Sequence, residues 1–192
     1  MIQYLQGGSG TTLKDLTLND CRLKDSYGAR VFHAWIQKPL TQEQPRAKEM
    51  GELNLEGNLF GAALFKEVLE LLEEDSAEPV LYCTYLEKLN FSRNQLEDQG
   101  ISELCSIIER ANHFGVGHLN LSKNSLGKQS LIHLRGYLEG EEASIETIDL
   151  SDNLLSCLKS SSILELRRQP EESTATSVTY TREQPKQKKE KK

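Results

Sequence analysis

The sequence predicts an α/β solenoid of about five strand-and-helix units stacked side by side. Three observations carry this. A motif of fixed internal spacing returns five times, each copy leads into a segment with helical apolar spacing, and the copies begin 37, 36, 30 and 29 residues apart. Intervals of that size are those of one supersecondary unit in an array.

The motif is apolar-x-x-apolar-x-apolar-x-x-(Asn or Cys). Leu13, Leu16, Leu18 and Cys21 form the first copy, with Leu23 closing it, and Met50, Leu53, Leu55 and Asn58 form the second, closed by Phe60. The third is Leu86, Leu89, Phe91, Asn94 and Leu96, the fourth Val116, Leu119, Leu121, Asn124 and Leu126, and the fifth Ile145, Ile148, Leu150, Asn153 and Leu155. The central apolar-x-apolar pair has the period of a short strand, with two side chains inward and one outward. Parallel strands are expected around residues 16–18, 53–55, 89–91, 119–121 and 148–150. The Asn that follows each strand is expected to be buried at the bend, where its amide satisfies backbone groups freed as the chain turns. Cys21, Asn58, Asn94, Asn124 and Asn153 are thus the structural ladder, with Cys21 able to act only weakly. A single unit cannot bury its apolar face, so the units must stack.

Helices should follow. Residues 62–73 combine strong helix formers with Leu64, Val68, Leu71 and Leu72 on one side. Residues 100–110 and 129–138 repeat the pattern with Ile101, Leu104 and Ile108, and with Leu131, Leu134 and Leu138. Residues 27–36 and 158–167 are weaker versions.

The five copies resemble the leucine-rich repeat family, and the intervals of 29 and 30 resemble its ribonuclease-inhibitor-like subclass. Gly100, six residues after Asn94, also resembles the subclass, whereas Gly28 is displaced by one and Leu64, Ser130 and Lys159 stand at the corresponding place elsewhere. The resemblance covers about residues 10–168 and implies a short leucine-rich repeat solenoid. It implies many partners and no single function.

Residues 1–12 read as an N-terminal extension or partial cap, 13–168 as the leucine-rich repeat domain, and 169–192 as a disordered tail with a basic end. Gly7, Gly8 and Gly10 make poor cap material, Pro170 ends any helix, and the segment beyond is polar. Both ends of the array are therefore expected to be weakly capped, which suggests end-to-end association or membership of a larger complex. Residues 37–49 and 76–85 are insertions expected on the surface.

The 192 residues carry 23 basic and 29 acidic side chains, a formal charge of -6, which argues against general nucleic-acid binding. Residues 182–192 hold six basic and two acidic groups, so nucleic acid is unlikely as a partner except through this tail, which could also meet an acidic filament surface or an anionic membrane. The start lacks a secretory pattern and no apolar run approaches about 20 residues, so no transmembrane insertion is expected. A cytoplasmic address follows as the expectation, with cytoskeletal, ciliary or nuclear ones left open. The four cysteines show no C-x-x-C pair or dense spacing and are expected to be free and mostly buried.

Stacking turns the outward strand positions into columns on a concave face. Thr17, Asn54, Asn90, Asn120 and Asp149 make the central column, with Asp15, Glu52, Lys88, His118 and Thr147 on one side. On the other lie Asn19, Glu56, Ser92, Ser122 and Ser151, and beyond them Asp20, Gly57, Arg93, Lys123 and Asp152. The partner-binding candidates are Lys88, Asn90, Arg93, His118, Asn120, Lys123 and Asp149. Large aromatic anchors are missing from these columns, which fits polar protein recognition of moderate strength.

No catalytic, cofactor-binding or metal residues are assigned. Of the four histidines only His118 belongs to the concave face, and its column neighbours Lys88 and Thr147 do not complete a triad. The GGSG at residues 7–10 lacks a phosphate-loop lysine. The expected function is a noncatalytic protein-recognition or assembly scaffold that uses the concave face or the repeat ends. Two alternatives stay open: a regulator of another enzyme, such as a small GTPase or nuclease, and a structural component of a filament or ciliary assembly.

Overall fold

A computed structural model describes residues 15–36, 50–74, 85–110, 115–139, 145–157 and 179–181. Five parallel strands run in chain order: β1 (Leu16–Thr17), β2 (Met50–Asn54), β3 (Tyr85–Asn90), β4 (Gly115–Asn120) and β5 (Thr147–Asp149). Four helices alternate with them: α1 (Asp25–Ile36), α2 (Ala63–Glu74), α3 (Glu97–Arg110) and α4 (Lys128–Glu139). A 3-10 turn, Leu154–Cys157, follows β5. The weak helix expected over 158–167 and the two insertions, apart from Tyr85, lie outside the described residues, as do the basic end at 182–192 and residues 1–12.

The register matches the motif residue for residue. Leu16 pairs with Leu53, Leu53 with Leu89, Leu89 with Leu119 and Leu119 with Ile148. Backbone bonding continues beyond the strands, because the amides of Leu18, Leu55, Phe91 and Leu121 each donate to the central-column carbonyl of the next unit at 2.8–2.9 Å. Inward residues of all five copies form one core with the helices: Leu53, Leu55, Phe60, Leu64, Leu86, Leu89, Leu96, Leu104, Val116 and Leu126 are fully buried. Phe91 is the core's aromatic hub, edge-on to Phe32 at 5.6 Å, Phe60 at 6.3 Å and Phe65 at 5.1 Å between centroids. Gly28 is required by packing, since a Cβ there would lie 2.3 Å from the Phe60 ring and 2.9 Å from Leu64.

The asparagine ladder is real and runs backwards. Asn94 Nδ2 donates to Phe91 O and Ser92 O of its own bend and to Leu55 O of the preceding unit, while its Oδ1 accepts from Phe60 N. Asn124 repeats this with Leu121 O, Ser122 O, Phe91 O and Leu96 N, and is completely buried. Asn58 reaches back to Leu18 O and Leu23 N, and Asn153 to Leu121 O and Leu126 N. Cys21 has no described unit behind it to stitch. Its thiol is exposed and turns to Asn19 O, at 3.3 Å. The expectation of mostly buried thiols therefore holds for Cys105 but not for Cys21, because a side chain at this bend is buried only where a preceding unit covers it.

On α1, Ala29, Val31, Phe32, Ala34, Trp35 and Ile36 are all buried. Within the segment expected to be a disordered tail, Thr179–Thr181 forms a sixth strand, β6, antiparallel to β5. The physical reason is that β5 would otherwise leave a row of unpaired backbone groups, and Thr-Tyr-Thr is a run of good strand formers able to pair with it.

Candidate protein-interaction surface

Two of the expected columns lie in register across the sheet. Glu52, Lys88, His118 and Thr147 follow one another across adjacent strands, as do Thr17, Asn54, Asn90, Asn120 and Asp149. Period-two alternation places these side chains opposite the core-facing leucines, so they share one face.

The central column has a structural task that the sequence reading did not assign. Asn54 Oδ1 accepts from Glu56 N at 3.2 Å, Asn90 Oδ1 from Ser92 N at 2.9 Å, Asn120 Oδ1 from Ser122 N at 3.0 Å, and Asp149 Oδ1 from Ser151 N at 2.9 Å. Each is an Asx turn that bends the chain out of its strand. Of the candidates, Asn90, Asn120 and Asp149 therefore have one oxygen committed to the fold. The signal was present as Asn or Asp followed two residues later by a small or acidic residue, in four of the five copies.

The charged candidates are arranged differently. Lys88 is exposed beside half-buried His118, whose Nδ1 lies 2.6 Å from Thr147 Oγ1. Arg93 Nη1 lies 3.3 Å from Glu56 Oε1 and 3.6 Å from Asp20 Oδ2, and Lys123 Nζ lies 3.7 Å from Asp152 Oδ2. These pairs are half-exposed, so they orient the cations more than they stabilise the fold. The result is a cationic centre, Lys88, Arg93 and Lys123 with His118 among them, flanked by Asp15, Asp20, Glu52 and Glu56 on one side and by Asp149 and Asp152 on the other.

The row carrying Arg93 and Lys123 also shares a backbone conformation. Asp20, Gly57, Arg93, Lys123 and Asp152 have φ of 51, 66, 57, 56 and 55°. Every copy turns through the left-handed region at the residue before its ladder position, where only glycine is free of strain. Arg93 and Lys123 accept that cost and are presented at the tight bend rather than on a strand.

A second inter-unit contact was also missed. Asp25 Oδ1 accepts from Gly61 N at 2.7 Å, and Asp98 Oδ1 accepts from Gly127 N at 2.7 Å and from both the amide and hydroxyl of Ser130. Each carboxylate comes from the first turn of one helix and satisfies amides at the start of the next. Burial tends to raise the Asp98 carboxyl, but the bonds from Ser130, Gly127 and Gln129 outweigh it and hold the group below its ordinary range. The readable signal is Asp four residues after a ladder position, followed in the next copy by Gly three residues after.

Among the described residues no group of three or more His, Cys, Asp and Glu could hold a metal ion, and no helix is long and apolar enough to cross a membrane. The Cys105 thiol is pushed up to about 12 by burial and by nearby Glu109, which suits a core residue and not a nucleophile.

A family model described as leucine rich repeat matches residues 82–105. With five units in parallel register, the fold is a short leucine-rich-repeat-like solenoid. No curated protein matches the chain. The matched residues span β3, its Asn94 bend and most of α3, the unit in which the motif, the Gly100 position and the helix start coincide.

Proposed function

We propose that this solenoid is a noncatalytic protein-recognition or assembly scaffold that binds its partner through the concave columns and their charged rim. One observation carries the reading: the register brings Lys88, Arg93 and Lys123 together around His118, from two strands and the bends after them, as one cationic centre between acidic flanks. Such a pattern suits a partner with an acidic centre and basic edges, and its charges would set orientation and choice more than strength. The absence of large aromatic anchors from the columns agrees with moderate affinity.

The likeness to the ribonuclease-inhibitor-like subclass rests on the intervals of 29 and 30 and on Gly100. It keeps regulation of another enzyme as the second reading, with Arg93 as the group that would reach a partner's active site. A structural part in a filament or ciliary assembly, and a cytoplasmic address, remain consistent with the same surface. Crosslinking in native extract with the wild type and with an Asp20→Arg/Arg93→Asp exchange separates these. The exchange keeps opposite charges at positions 20 and 93, gives up the half-exposed contact of Arg93 with Glu56 and moves the positive charge, so a concave-face partner should be lost from a chain that still folds.

A further inference from the structure

β6 differs from every other strand of the sheet. It alone is antiparallel to its neighbour, and residues 150–178 separate it from the strand it pairs with. Antiparallel neighbours ordinarily need a connection of only about 2–5 residues. Three residues also return few backbone bonds to hold the pairing. Thr147, Ile148 and Asp149 of β5 face Thr181, Tyr180 and Thr179, so the whole of β5's outer edge is taken by this short segment. The opposite edge of β5 is held by β4 in the repeat register.

We propose that the outer edge of β5 is a strand-acceptor site for an extended peptide of a partner protein, and that β6 fills it in cis as a displaceable plug. The cis occupant is added to the edge by main-chain bonding, and its Thr-Tyr-Thr sequence, a run of strand formers, sets the class of peptide proposed. This edge is separate from the charged columns, so its failure and theirs can be told apart.

The test uses the full chain and a fluorescent synthetic peptide spanning residues 176–184, read by anisotropy. Successive strand amides point to opposite sides, so Thr179→Pro/Tyr180→Pro removes at least one bond to β5 and frees the edge. That variant should bind the peptide at least tenfold more tightly than the wild type, and a peptide with the same two prolines should not bind it. A second pair, Thr147→Cys/Thr181→Cys, joins partner positions of the two strands, and antiparallel partners ordinarily stand about 4.5–5.5 Å apart between Cα atoms, within reach of a disulfide. Its oxidised form should bind at least tenfold more weakly than its reduced form, which keeps the test decisive even if the proline variant unfolds. Equal binding by the oxidised and reduced forms overturns the proposal. So does light scattering that shows wild-type copies exchanging β6 with each other at the assay concentration, because the edge would then serve self-association. Charge changes at Arg93 and Lys123 should leave peptide binding unchanged.

Discussion

Arg93 reaches Asp20 across an intervening repeat, with Nη1 3.6 Å from Oδ2. The unit between them has Gly57 at the equivalent bend, and a Cβ there would lie 2.1 Å from Asp20 Oδ1. The missing side chain is what lets Asp20 lean over the second unit and Arg93 meet it. Glu56 of that unit completes the arrangement by accepting from the same guanidinium nitrogen.

Gly57→Ala should therefore be costly on two grounds, a φ of +66° and the collision with Asp20. A loss of about 1–2 kcal/mol is expected from denaturant unfolding. The Asp20–Arg93 pair itself, being half-exposed, should show a coupling of about 0–1 kcal/mol in a double-mutant cycle, shrinking as salt is raised.

Asn124→Ala should destabilise by about 1–3 kcal/mol, because three carbonyls and one amide in two units lose their buried partner. Cys21→Ala should cost far less, since the thiol is exposed and, among the described residues, turns only to Asn19 O of its own bend. Equal losses at the two positions by thermal unfolding would remove the account of the ladder.

Gly28→Ala should open the contact between α1 and the Phe60–Leu64 segment, with a loss of about 1–3 kcal/mol from overpacking. Phe91→Ala should cost about 3–5 kcal/mol, because it removes the ring on which three others converge. Near-ultraviolet circular dichroism and denaturant melts check both.

The Asp98 carboxyl is held low in the fold, so it contributes stability that is complete above its unfolded pKa and is lost as pH falls through the folded one. Asp98→Asn should flatten the acid limb of a stability-against-pH profile without altering the profile at neutral pH and above in shape. An unchanged acid limb would mean that its bonds to Gly127 and Ser130 do not distinguish the charged form.

The strands, their register and the ladder could be read directly because each is a periodic constraint repeated five times in one chain. A buried leucine or asparagine has few substitutes at those places. The Asx column and the Asp25 and Asp98 caps were harder to see, since polar residues there look like ordinary solvent-facing positions until the next unit is placed beside them. β6 was missed for another reason. Thr-Tyr-Thr is too short to carry a pattern, and its pairing depends on an unfilled edge that only the assembled sheet defines. Which charges pair with which followed from Gly57, whose role is a missing side chain.

The measurement that bears most directly on the central claim is quantitative crosslinking and recovery from native extract, comparing wild type with the Asp20→Arg/Arg93→Asp exchange after both are shown to melt alike. Recognition through the concave columns predicts a reproducible set of protein partners for the wild type and its loss for the exchanged chain. An unchanged partner set would contradict the concave-face account, and turnover by the purified chain with no partner recovered would contradict the scaffold itself.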